Sequence, residues 1–150
     1  MAEYRVVASA IIDAPAERVY GIVADYRNGH PRILPPKYFT GLEVEQGGVG
    51  EGTVIRFGMK VLGQSRTLRA YITEPEPGRV LVETAPDGSV VTTFTADPLD
   101  GGRSRMTFST VGRTPPGIVG WIESRITKRI LPRIYRDELA LLAKVATADG

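Results

Sequence analysis

The stretch Thr53-Val54-Ile55-Arg56-Phe57-Gly58-Met59-Lys60-Val61-Leu62, then Gly63, then Gln64-Ser65-Arg66-Thr67-Leu68-Arg69-Ala70-Tyr71-Ile72-Thr73-Glu74 decides the architecture. Two runs rich in β-branched, aromatic and long apolar side chains flank a single glycine. A gap that short admits only an antiparallel hairpin, because a parallel crossover takes a dozen or more residues. Alternation assigns the faces. Ile55, Phe57, Met59 and Val61 share one side of the first strand, against Val54, Arg56, Gly58 and Lys60, and the apolar set is expected to point inward. Leu68, Ala70 and Ile72 face the same way, and Arg66 shares their parity near the strand end.

Working outward, further strand-like runs cover residues 41–46, 79–84, 89–97 and 103–112. The breaks between them are the glycine run Gly47-Gly48-Val49-Gly50-Glu51-Gly52, Pro75-Glu76-Pro77-Gly78, Pro86-Asp87-Gly88 and Pro98 to Gly102. All are short, so the sheet is a meander. Met106 and Phe108 point inward; over 89–97 both faces are mixed, and the pattern does not choose between Thr93 and its neighbours. Residues 3–12 read as an additional strand. Asp13 is expected to cap a helix over 15–24, with Val19, Ile22 and Val23 on its inner face. Residues 25–40, with three prolines, His30, Tyr26 and Tyr38, form an ordered loop. Residues 117–147 are helical, with Ile118, Ile122, Ile126, Ile130 and Ile134 every fourth position. That spacing drifts about 40° per step from the helix period, so a kink at Pro132, near residues 128–132, is expected to keep the stripe inward. Arg125, Lys128, Arg129, Arg133 and Arg136 are read with Glu123, Asp137 and Glu138 as a solvated face.

The 150 residues carry 19 basic and 17 acidic side chains, one histidine and no cysteine. They are expected to form one domain over 1–150 with one core. One histidine and no thiol exclude the usual zinc sites, thiol nucleophiles and the two-histidine iron triad, and the acids are scattered, so neither metal nor cofactor is expected. A net charge of +2 with interleaved acids gives no reason to expect nucleic acid. No apolar run reaches the ~20 residues of a membrane span, and Met1-Ala2-Glu3-Tyr4-Arg5 lacks the apolar core of a signal peptide, so a cytoplasmic location is expected. Ser65 and Ser89 sit on no Gly-x-Ser-x-Gly elbow, and the glycine run opens a strand rather than a helix, which removes triad hydrolases and phosphate loops.

The order strand, helix, loop, six-strand meander, long helix resembles the helix-grip fold of the START-like superfamily, with its Bet v 1, polyketide cyclase/dehydrase and coenzyme Q-binding branches. The resemblance rests on Ile12-Asp13-Ala14-Pro15-Ala16-Glu17-Arg18-Val19-Tyr20, on Ala24-Asp25-Tyr26 with Pro31-Arg32-Ile33-Leu34-Pro35, and on Gly48-Val49-Gly50-Glu51-Gly52-Thr53-Val54-Ile55-Arg56-Phe57. It implies an α+β fold in which a curved antiparallel sheet of about seven strands wraps a long, kinked C-terminal helix around an internal cavity for apolar ligands.

The residues expected to line that cavity are Tyr26, His30, Tyr38, Ile55, Phe57, Met59, Arg66, Leu68, Thr93, Phe108, Trp121 and Ile122. The partner expected is a small apolar molecule, such as a lipid, an isoprenoid or quinone, or a polyketide, held by a monomer or weak dimer without catalysis. Two other readings stand beside it: a cyclase or dehydratase using His30, and a protein-interaction module like the Hsp90-activating relatives. Plainer readings accompany the polar residues. His30 in a His-Pro turn has its imidazole in water, Arg66 either meets Glu74, Tyr38 or a ligand or snorkels to solvent, and Glu74 and Glu76 are solubilising charges. Trp121, on the border of the inward stripe, is expected to be partly exposed.

Overall fold

A computed structural model describes residues 2–148. The elements are β1 (Ala2–Ile12), α1 (Ala16–Ala24), β2 (Phe39–Gln46), β3 (Val54–Val61), β4 (Gln64–Glu76), β5 (Val80–Thr84), β6 (Val90–Pro98), β7 (Ser104–Thr114) and α2 (Ile118–Ala148). One antiparallel sheet holds all seven strands in the order β1-β7-β6-β5-β4-β3-β2. Neighbours in the sheet are neighbours in the chain except for β1 and β7, which pair from Ala2↔Thr114 to Ile12↔Ser104. The hairpin that opens the sequence reading pairs Val61↔Gln64 through Val54↔Tyr71.

Period-two burial runs cleanly along the central strands. Ser104, Met106, Phe108 and Thr110 of β7 and Thr92, Phe94 and Ala96 of β6 are buried, and the residues between them are half-covered or exposed. That settles β6: Thr92 and Phe94 face inward, and Thr93 lies on the outer face, across from Val82 and Ser109. Gly112 makes room on the inner face for Tyr4, since a Cβ there would overlap the Tyr4 ring.

Helix α2 lies across β1 and β7, burying Ile134, Tyr135, Glu138, Leu139, Leu142 and Ala146, and α1 covers β6 and β7 with Val19, Tyr20 and Val23. Two expectations about helix ends and stripes fail. Pro15, not Asp13, stands at the N-cap of α1, and no side chain caps it. Helix α2 runs through Pro132 without a break. The isoleucine stripe does not stay inward: Ile118, Ile122 and Ile126 are exposed, and the inner face of the first turns is Gly120 and Ser124. Gly120 suits the turn that leads into the helix, since a Cβ there would overlap the Pro115 carbonyl. No helix is long and apolar enough to cross a membrane among the described residues.

Candidate functional site

The loop after α1 builds the polar centre of the interior. At the end of the helix, the Asp25 carboxylate accepts the backbone N–H groups of Arg27 and Asn28, and its carbonyl accepts those of Gly29 and His30. The turn is tight enough that a Cβ at Gly29 would overlap the Ile22 carbonyl. The glycine run docks on the same turn: the Tyr26 N–H donates to the Gly48 carbonyl at 2.8 Å and the Gly50 N–H to that of Ala24 at 3.0 Å. Glu74 fixes this junction from the sheet, its carboxylate accepting the Tyr20 hydroxyl and, at 2.7 Å, the Glu51 N–H. It is a structural tie, not a solubilising charge.

The consequence is that Tyr26 and His30 turn inward together. Their rings stack with centroids 4.4 Å apart, and His30 is only 3% exposed, which overturns the reading of a solvated His-Pro turn. The His30 Nδ1–H donates to the Val23 carbonyl at 2.8 Å. Because a carbonyl can only accept, the ring proton is fixed on Nδ1 and Nε2 faces the interior. There it lies 3.8 Å from Oε2 of Glu83, the same oxygen that accepts the Tyr26 hydroxyl at 2.6 Å. Burial, with the Glu83 charge and hydrogen bond added, pushes the Tyr26 phenol well above its ordinary value, so it stays a donor.

A second polar group sits opposite, on α2. The Tyr135 hydroxyl bonds to that of Thr110, which in turn bonds to Thr92 at 2.9 Å. Glu138 lies one turn further along the helix, buried with no hydrogen bond to its carboxyl found among the described residues. Burial first, and then the charge of Glu83, pushes it well above the carboxylate range, favouring the protonated form. Aromatic rings join the groups: His30 meets Phe94 edge-on at 5.9 Å, Phe94 meets Phe108 at 4.7 Å, and Phe108 meets Tyr135 at 5.4 Å. Glu138 thus leaves the solvated face to which the sequence reading assigned it. The interior offers the Glu83 and Glu138 side chains, the second favouring its proton, together with one imidazole and two phenols, enough to hydrogen-bond a hydroxyl or carbonyl.

Of the residues singled out from sequence, Tyr26, His30, Ile55 and Phe108 are buried in this core. Phe57, Met59 and Leu68 are half-covered further along the inner face of the β3–β4 hairpin, where Phe39 packs on Phe57 with ring centroids 6.1 Å apart. Tyr38 is half-covered against the edge of the core, with the Lys37 ammonium 5.4 Å from its ring centre. Arg66 is 70% exposed and reaches neither Glu74 nor Tyr38; it pairs with Glu123 of α2 at 3.9 Å, bridging the hairpin and the helix. Trp121 is 56% exposed beneath the Arg125 guanidinium, Ile122 is exposed, and Thr93 lies on the outer face. Glu83, Glu138, Thr92, Thr110 and Tyr135 are the interior polar groups that sequence reasoning missed.

A curved seven-stranded sheet gripping one long C-terminal helix, with a polar centre between them, defines a helix-grip protein of the START-like, polyketide cyclase type. The chain belongs to the family described as polyketide cyclase / dehydrase and lipid transport, which matches residues 3–147. Among solved structures, it resembles the KanY protein (TM-score 0.83, 25% identity, 97% of this chain and 99% of that one). An aromatase/cyclase, Zhui, from Streptomyces sp. R1128 is similar at TM-score 0.78 and 22% identity, covering 99% of both chains. A START superfamily protein from Mycobacterium smegmatis follows at 0.73 and 15%, covering 94% and 98%. No curated protein matches the chain.

Proposed function

We propose that the protein binds a small, mostly apolar molecule carrying a hydroxyl or carbonyl, such as a polyketide-like aromatic, a quinone or a lipid. The apolar part rests on Phe57, Met59 and Leu68, and the polar end meets Glu83 and the phenol and imidazole around it. The observation that supports this most is the Tyr26–Glu83–His30 set, in which Tyr26 and His30 are buried and Glu83 is mostly covered, because polar groups drawn out of water into an apolar interior are costly and gather where a polar ligand is met. Native mass spectrometry of the fresh protein, followed by solvent extraction, reports retained ligand directly. A ligand at about 100 Kd adds about 2.7 kcal/mol, which raises Tm by roughly 5–10 °C at this size. Glu83→Gln lowers affinity for hydroxylated or carbonyl ligands more than for plain hydrocarbons, and Phe57→Ala lowers both. A panel of fatty acids, quinones and aromatic polyketides that shifts nothing counts against this reading.

The same set supports a second reading, proton transfer in a cyclisation or dehydration. His30 Nε2 and Glu83 Oε2 face each other at a distance one substrate proton could bridge. Turnover separates the two: an enzyme converts a poly-β-keto substrate and loses that conversion in His30→Ala, whereas a carrier converts none and His30→Ala changes only its affinity.

A further inference from the structure

The face of α2 that points away from the sheet is the place where a helix is normally polar. At about 100° per residue, Ile118, Ile122, Arg125, Arg129, Arg133 and Arg136 fall within one narrow outward sector, opposite the buried Ser124, Glu138 and Leu142. The sector is apolar over its first turns, with Ile118 73% exposed and Val119 and Trp121 on its flanks, and then basic. Ile118, Val119, Trp121 and Ile122 are all exposed, with only the Arg125 guanidinium lying over the Trp121 ring among the described residues.

A second, independent oddity lies at the same end of the molecule. The turn between β3 and β4 is Leu62-Gly63, with φ of 52° and 76°. Both residues are in the left-handed region, where asparagine followed by glycine is the favoured pair and a leucine is strained. Leu62 is also 73% exposed, so the fold bears a strained residue whose side chain packs on nothing. The Arg66–Glu123 pair ties this hairpin to the first turns of α2, which places the two apolar tips at one end, beside the half-covered Phe57 and Met59.

From these two observations we infer that this end of the protein docks on the surface of an anionic lipid bilayer, with Leu62 and the α2 residues Ile118, Ile122 and Trp121 entering the interface and Arg125 and Arg129 meeting the headgroups. Charge complementarity selects this occupant: the outward sector carries arginines in successive turns, and an interfacial helix combines such cations with isoleucine and tryptophan. Because the docking surface is outside the interior site, it stands or falls separately from the ligand reading.

The experiment is co-sedimentation with phosphatidylcholine vesicles, with and without about one-third phosphatidylglycerol, together with Trp121 fluorescence. The full chain binds the anionic vesicles at least tenfold more tightly than the neutral ones, salt weakens the binding, and the Trp121 emission shifts to the blue. Arg125→Glu with Arg129→Glu reduces partitioning by about tenfold or more. Leu62→Asn, which relieves the turn, leaves Tm equal or higher and yet weakens binding several-fold, so lost binding cannot be blamed on unfolding. Absence of binding to either vesicle overturns the proposal. So does binding that neither substitution changes, or capture of the same face by an acidic protein while vesicles stay unbound.

Discussion

Glu138 occupies the inner face of α2 between Ile134 and Leu142, one turn away from each. An ionised carboxylate there loses its hydration and faces the charge of Glu83, and both effects raise its pKa above the 4.5 of a free side chain. In the unfolded chain the group loses its proton near 4.5, whereas in the fold it keeps it to higher pH. The unfolded state therefore binds fewer protons over that interval, so the group's contribution is fully present below pH 4.5 and is lost as pH rises through the interval. Glu138→Gln is expected to leave stability unchanged near pH 4 and to gain on the wild type above it, by up to about 1.4 kcal/mol per pH unit. Denaturant titrations across that range check this, and a difference that stays flat with pH shows that Glu138 is ionised in the fold. The residue was partly legible. It lies at the helical spacing of its buried neighbours, just as Glu83 shares the parity of the buried Leu81, and an acid on an apolar parity is the signal that could have found both. The stacking of Tyr26 on His30 was not legible, because it depends on a turn held by Gly29, Asp25 and the distant glycine run.

At the scale of elements, the strands were readable because each lies between turn residues and most neighbours in the sheet are neighbours in the chain, so local pattern carries nearly all of the topology. The faces of β3, β4 and β7 followed from alternation. β6 did not, since threonine stands on both of its sides and only the packing of Phe94 against Phe108 and His30 decides. Helix α2 departs from its sequence pattern for a related reason: its isoleucine stripe is regular, but the buried positions are those that pack on β1 and β7. The long helix continues through Pro132, which leaves the Lys128 carbonyl without its helical donor. Both residues are solvent-exposed, and an exposed carbonyl that lacks a helical donor can bond to water instead. Pro132→Ala restores the bond. Against the helix-interior penalty of about 3 kcal/mol for proline stands about 0.4–1 kcal/mol of unfolded-state entropy that the ring removes, and water has already compensated part of the loss. A net gain of about 1–2 kcal/mol is expected, visible as a higher urea midpoint with unchanged m. A destabilised variant would show instead that the ring shapes the helix path over β1.

Across the whole molecule, one strand pairing is non-local: β1 pairs with β7, and α2 then packs on both. Every other strand pairing closes a short turn at little entropic cost, whereas joining β1 to β7 closes a loop of roughly 100 residues. The stability of the sheet as a unit should therefore be sensitive to a covalent link at that seam. The chain has no cysteine, so two introduced thiols have no competing partners. Ser9 and Thr107 are opposite one another in the β1–β7 register, at positions that alternate with the inner-face residues Ala8, Ala10, Met106 and Phe108. Facing residues of antiparallel strands have Cα atoms about 4.5–5.5 Å apart, within the range a disulfide spans. Chain entropy gives about 4.7 kcal/mol for a loop of that length, and engineered bridges deliver less, so Ser9→Cys with Thr107→Cys is expected to gain about 2–4 kcal/mol when oxidised. The reduced form of the same variant is the control, because it carries the substitutions without the link. Equal Tm values for the two forms would mean that β1 and β7 remain associated in the unfolded ensemble, and that closing the seam is not the dominant entropic cost in forming this sheet.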